Sequence, residues 1–144
     1  MVNLQPKGIT VKQFAIDPKM LTLSGVFYPT GHAVIMFPDA NQAEQAAREL
    51  VSGGYDSEAI MLLPPDTILR EIGRVDGDSD VDLPSVGTEG ATVQKYVKLA
   101  RQGQHGIMVH AASDKDTERV MSVVRTLPFS YAQKYHMLAM EDLE

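Results

Sequence analysis

The sequence predicts an α+β domain of the ferredoxin-like β-α-β-β-α-β plait class, with a helix inserted between its two halves and an N-terminal extension. Three observations predict it. A strand–helix–strand pattern runs over His32–Leu63 and recurs over His105–Met140. In each copy a short apolar run meets a capping-type residue, then a helical pattern, a Gly or Pro stop and a second extended run. Two such units interleave into one sheet in a split β-α-β arrangement. The opening strands of both copies, Ala33-Val-Ile-Met-Phe37 and Ile107-Met-Val109, are apolar at consecutive positions. Central strands buried on both faces read this way.

Residues 1–31 form the N-terminal extension. Phe14, Ile16, Leu21, Leu23, Val26 and Phe27 are apolar, and Pro18, Gly25, Pro29 and Gly31 punctuate them. Short extended pieces packed on the main sheet are expected there, with some disorder before residue 10. Residues 32–144 form the ferredoxin-like domain, with residues 64–104 as its insertion.

The first strand is expected over 33–37. Ala43, Ala46, Ala47, Leu50 and Val51 then recur at helical spacing, with Asn41 and Glu44 as a capping-box variant and Gly53-Gly54 as the stop. A second strand over 58–63 ends at Pro64-Pro65. Residues 66–72 allow one or two helical turns. The acidic loop Asp76–Asp82 follows, with little reason to fold alone.

The inserted helix spans 88–102 with the stripe Val93, Tyr96, Val97 and Ala100. The third strand lies over 106–111. A helix from Ser113 or Asp114 carries Val120, Val123, Val124 and Leu127 to the core and stops at Pro128. The last strand is expected over 130–140, with a frayed tail at 141–144. The four strands should lie in spatial order 4-1-3-2, all antiparallel.

With these pieces placed, the chain resembles the small bacterial general-stress-protein-like (YflT-type) domain family. The resemblance covers roughly residues 26–143. It rests on the strand and helix at Ala33–Val51, the Gly54-Tyr55-Asp56 turn, the second strand, the inserted helix ending Leu99-Ala-Arg-Gln-Gly103, and the closing Tyr135…Met140-Glu-Asp-Leu143. It implies a bacterial cytoplasmic setting and a link to stress. It implies no catalytic residues, because the family carries no agreed activity.

Composition narrows the function classes. The chain has 144 residues, enough for one domain with its own core. It has no cysteine, which excludes disulfides, thiolate metal sites and cysteine nucleophiles. No apolar run approaches the roughly 20 residues of a membrane span, and the first residues lack a signal-peptide core. A cytoplasmic protein with no membrane partner is expected. A net charge of −6 argues against nucleic acid. Phe37 is the only aromatic residue on either central strand, where RNA-binding plaits need several. The basic trio Lys95, Lys98 and Arg101 reads as a solvated helix face.

Candidate chemistry is sparse. The acidic loop fails the calcium-loop pattern, because Val81 and Gly87 stand where Gly and Glu are required. No Gly-x-Ser-x-Gly elbow or phosphate-binding loop exists, so no catalytic residue is assigned. Gly87-Thr-Glu-Gly90 reads as a helix start with flexible glycines.

The histidines 32, 105, 110 and 136 show no zinc spacing. No metal site and no cofactor is assigned, and the purified protein is expected to carry no stoichiometric metal. Antiparallel pairing should nonetheless bring His110 to His32 and leave His105 at the other end of the sheet. That pair could hold a metal or a small anion, with Tyr28 or Asp39 nearby; strand-end histidines at the sheet rim are the plainer reading. Tyr28, His32, Tyr96 and His110 are the candidate ligand-binding residues.

Three functions follow from different classes. The leading one is a non-enzymatic protein-interaction or regulatory module, partnered by a second copy or another protein. The second is a small-molecule-binding domain with a pocket at the sheet face or dimer seam. The third is an enzyme like the dimeric α/β-barrel oxygenases, with His32 or His110 as its active residue. Both faces of the central strands need cover, so a homodimer stacking its sheets is expected. The alternative is that helix 88–102 and residues 10–30 cover that face within one chain.

Overall fold

Each face of the central sheet is covered by segments of the chain itself. A computed structural model describes residues 11–21, 26–73, 88–136 and 140–144. The acidic loop 76–82 lies outside the described residues. Within them the chain is α+β, with four helices and a six-stranded, mostly antiparallel open sheet. The strands are β1 (Lys12–Gln13), β2 (His32–Phe37), β3 (Ile60–Leu63), β4 (His105–His110), β5 (Tyr131–Tyr135) and β6 (Met140–Asp142). The helices are α1 (Ala40–Ser52), α2 (Pro65–Thr67), α3 (Thr88–Arg101) and α4 (Asp114–Val124). A five-residue π turn, Ile68–Ile72, continues α2.

The sheet order is β1-β3-β4-β2-β5-β6. The four strands expected from the sequence therefore lie as 4-1-3-2, and each adjacent pair among them is antiparallel. Two short strands extend this set. β1 pairs parallel to β3, and β6 pairs antiparallel to β5.

The expected last strand over 130–140 is thus two strands. Only Ala33–Met36 of β2 are paired with β5. The chain then returns along the outer edge of β5, where the backbone groups of Gln133–Tyr135 face Met140–Asp142. The tail is correspondingly tied down. The Leu143 N–H donates to the Ala132 carbonyl, Gln133 Nε2 donates to Asp142 Oδ1 at 2.6 Å, and Arg125 Nε donates to the Glu144 carbonyl at 2.9 Å.

Local chemistry sets the helix ends. The cap of α1 is Asp39, two residues before the expected Asn41, and its Oδ1 accepts from the Gln42 N–H at 3.0 Å. Ser113 Oγ caps α4 by accepting from the Asp116 N–H at 3.0 Å. Past α1, Gly54 takes φ +101°, a conformation that suits a residue without Cβ.

Alternation along β2 and β4 sorts the core into two halves. Ala33, Ile35, Phe37, Ile107 and Val109 meet α1 and α4 through Ala43, Ala46, Leu50, Val120 and Val124. Val34, Met36 and Met108 face the other way. They meet Val93, Tyr96, Leu99 and Ala100 of α3, Ile68 and Ile72 of the π turn, and Phe14 and Phe27 of the N-terminal segment. The uncovered face that motivated a homodimer is therefore filled within one chain.

Packing there is close. A Cβ on Gly106 would lie 2.8 Å from Met36 Sδ and 3.1 Å from the Ile35 carbonyl oxygen, so any larger residue would have to displace the Met36 thioether and press on β2.

Candidate functional site

The candidate residues fall into two groups, one at the end of the sheet and one inside its second core. His32 opens β2 and His110 closes β4, and the antiparallel register makes them direct partners. The same register pairs His105 with Phe37 at the opposite end. The two rings of the His32–His110 pair meet edge to face, with centroids 5.0 Å apart and planes inclined by 65°.

Backbone bonds fix this corner. The Ala111 N–H donates to the Gly31 carbonyl at 2.9 Å, and the Gly31 N–H donates to the Tyr135 carbonyl at 2.7 Å. Gly31 itself turns the chain at φ +80°. On the other side of the sheet the Tyr55 hydroxyl donates to the His110 carbonyl at 2.7 Å, and the Arg119 guanidinium lies over the Tyr55 ring at 5.1 Å. Burial raises the Tyr55 phenol above its ordinary value, so it stays a donor.

His32 is half-buried and His110 exposed. The His32 Nδ1 lies 3.0 Å from the Thr30 carbonyl, which can only accept, so Nδ1 carries the proton. Burial holds the His32 imidazole below its ordinary value of 6.5, and positive charge on His110 and Lys134 acts in the same direction; the Thr30 and Pro29 carbonyls oppose them.

The consequence for stability has a definite sign. Above about pH 6.5 both the folded and unfolded chain hold this ring neutral. Below it the unfolded chain takes up a proton that the folded chain resists, so His32 should make stability fall as pH drops through that region. Urea midpoints of the wild type and His32→Gln, compared at neutral and mildly acid pH, check this. The variant should lose part of the acid-side decline. Equal declines would contradict the assignment.

Tyr28 and Tyr96 belong to the second group, away from the His32–His110 ring pair. Both pack around Tyr135. The Tyr28 ring centroid is 4.9 Å from that of Tyr135, and its hydroxyl donates to the His136 carbonyl at 2.7 Å. Tyr96 is 1% exposed, and its hydroxyl oxygen lies 2.7 Å from that of Tyr135. Burial, then the nearby Tyr135 phenol, pushes the Tyr96 phenol well above its ordinary value. Tyr96 is thus a protonated core residue that completes a buried hydroxyl pair. Tyr96→Phe removes that bond and should cost about 0.5–1.5 kcal/mol, read as a lower denaturation midpoint with an unchanged slope. A neutral result would show that the pair contributes nothing.

Sequence reasoning did not single out Lys134. It is 2% exposed, pairs across the strands with Ala33, and points to α4, where its Nζ donates to Thr117 Oγ1 at 2.8 Å. No carboxylate among the described residues lies within ion-pair distance of it. The signal was present: Ala132 and Lys134 alternate onto one face of β5, which puts an ammonium on the core side.

Near this group an open cleft of about 370 Å3 lies between α4 and the C-terminal residues, lined by Thr117, Met121 and Arg125 with the acids Asp114, Glu118 and Glu141 among others. Glu118 is paired with Arg125 at 2.8 Å, and that hydrogen bond holds its carboxyl below the ordinary value. The described residues contain no group of three or more His, Asp or Glu side chains placed to hold a metal ion. None of their helices is long and apolar enough to cross a membrane.

No protein-family model, curated protein or solved structure matches the chain.

Proposed function

We propose that the chain is a non-enzymatic protein-interaction or regulatory module of the cytoplasm. In this reading it is a ferredoxin-like plait whose open sheet face is closed by its own inserted helix. The observation that supports it is the filled second core. A ligand site or barrel-type active site on a plait needs space against the sheet. Here Tyr96, Phe27 and Tyr135 occupy that space with almost no exposed surface, and the tyrosine hydroxyls bond to each other.

With the sheet closed, a partner has to meet the exterior. The net charge of −6 favours one with a basic surface. The argument for a second copy of this chain came from an uncovered sheet face, so a different protein is the stronger candidate. The bacterial setting and the link to stress are supported by the resemblance to general stress proteins.

A second reading, a small-molecule-binding domain, is favoured by the cleft beside α4. One experiment separates the two. A thermal-shift panel of amino acids, nucleotides, sugars, carboxylic acids and polyamines should leave the melting temperature unchanged if the chain is an interaction module. A saturable rise with one compound, lost in Arg125→Ala, would replace that reading with the small-molecule one.

A further inference from the structure

We propose that His32 and His110 form a two-histidine chelate for a divalent cation of the copper, nickel and zinc class at the end of the central sheet. The inference is independent of the interaction-module reading and stands on the geometry of this corner.

The first support is strand register. The Ala111 N–H donates to the Gly31 carbonyl, so the ladder bond between β2 and β4 at this end falls at positions 31 and 111. The adjacent His32–His110 pair is therefore of the non-hydrogen-bonded kind, in which opposed side chains come closest.

The second is ring separation. A cation about 2.0–2.1 Å from one nitrogen of each imidazole, with a near-tetrahedral angle between them, places the ring centroids roughly 5 Å apart. The observed separation is 5.0 Å.

The third is tautomer and aim. The Nδ1–H of His32 donates to the Thr30 carbonyl, which leaves Nε2 with its lone pair free, the arrangement that metal-binding histidines use. A Cβ built on Gly31, next to His32 in the chain, would lie 3.8 Å from His110 Nε2 and 3.9 Å from its Cδ2. The Nε2 edge of His110 thus lies beside Gly31, the residue that precedes His32. No hydrogen bond occupies the His110 ring among the described residues. Backbone bonds from Gly31, Ala111 and the Tyr55 hydroxyl hold both strands in place before any ion arrives, which lowers the ordering cost of binding.

Two protein ligands leave the remaining positions to water. Imidazole selects against Ca2+ and Mg2+, which take oxygen ligands. Among the others Cu2+ should bind tightest. The positive charge of Lys134, which acts on His32, limits the affinity. The site is then one that fills and empties with the free ion concentration.

The test is a titration of the full chain with Cu2+ by calorimetry, with electron paramagnetic resonance of the one-to-one mixture. The expected result is one Cu2+ per chain with two imidazole nitrogens in its coordination plane. His32→Ala and His110→Ala should each weaken binding at least tenfold, and the double variant should be little worse than either single one, because either change breaks the chelate. The His105→Ala/His136→Ala double variant should bind as the wild type does. Binding that survives either single substitution within twofold, or a spectrum with one imidazole nitrogen, would overturn the proposal. If His32→Ala proves unfolded, the wild-type spectrum and the exposed His110→Ala variant decide it alone.

Discussion

Met36→Asp is expected to leave no folded protein at room temperature. Met36 is 0% exposed and lies between the central sheet and α3. The substitution removes a packed apolar side chain, about 2–5 kcal/mol for a buried Met cut to a small residue. It also sets an unpaired carboxylate where neither water nor a cation can reach it, a further cost of several kcal/mol. A domain is stable by only about 5–15 kcal/mol in total. Were this face the seam of a dimer, the same change would first separate the subunits and leave folded monomers. Circular dichroism of the purified variant, with its sedimentation behaviour, distinguishes the two. A folded, monomeric Met36→Asp protein would show that α3 does not seal the face.

Phe27→Ala should lower stability by about 3–5 kcal/mol. Phe27 has no exposed surface and packs edge to face against Phe14, Tyr96 and Tyr135, with centroids 6.0, 6.3 and 6.1 Å away. It therefore ties the N-terminal segment, the inserted helix and β5 into one core. The backbone supports this placement through the Leu21–Phe27 bridge and the Tyr28 N–H to Met20 carbonyl bond. Denaturant unfolding at equal slope measures the loss directly. A change under about 1 kcal/mol would mean that the N-terminal segment rests on the sheet without stabilising it.

Periodicity shows how far the sequence alone carries the fold. The unbroken apolar runs of β2 and β4 read as central strands, and the stripes Ala43–Ala46–Ala47–Leu50 and Val93–Tyr96–Ala100 read as helix faces turned inward. Strand register then followed from antiparallel pairing, and with it the meeting of His32 and His110.

The misses have physical causes. β1 is two polar residues long, too short for any alternation to register, and its pairing comes from β3 offering an open edge. β5 and β6 come from one stretch whose residues suit a strand throughout, so nothing in its pattern marks the division. Asp39 and Asn41 offer equivalent cap chemistry two residues apart, and only the bond from the Gln42 N–H to Asp39 Oδ1 decides between them. Tyr96 carries both a stripe position and a polar tip, and only the approach of the Tyr135 hydroxyl shows that the tip is spent inside the core.

The claim on which the functional reading turns is that the second face of the sheet is closed by its own chain. The absence of cysteine allows a direct measurement, since one introduced thiol is the only one present. Met108→Cys places that thiol on the covered face, where residue 108 is 0% exposed, and Ser122→Cys places it on the exposed side of α4. The rate of reaction with a thiol reagent is then followed across a dilution series. Closure within one chain predicts a Met108→Cys thiol that stays protected at every concentration and reacts only in denaturant, while the Ser122→Cys thiol reacts at once. A Met108→Cys thiol that reacts as fast as the control, or that loses protection on dilution, would contradict it.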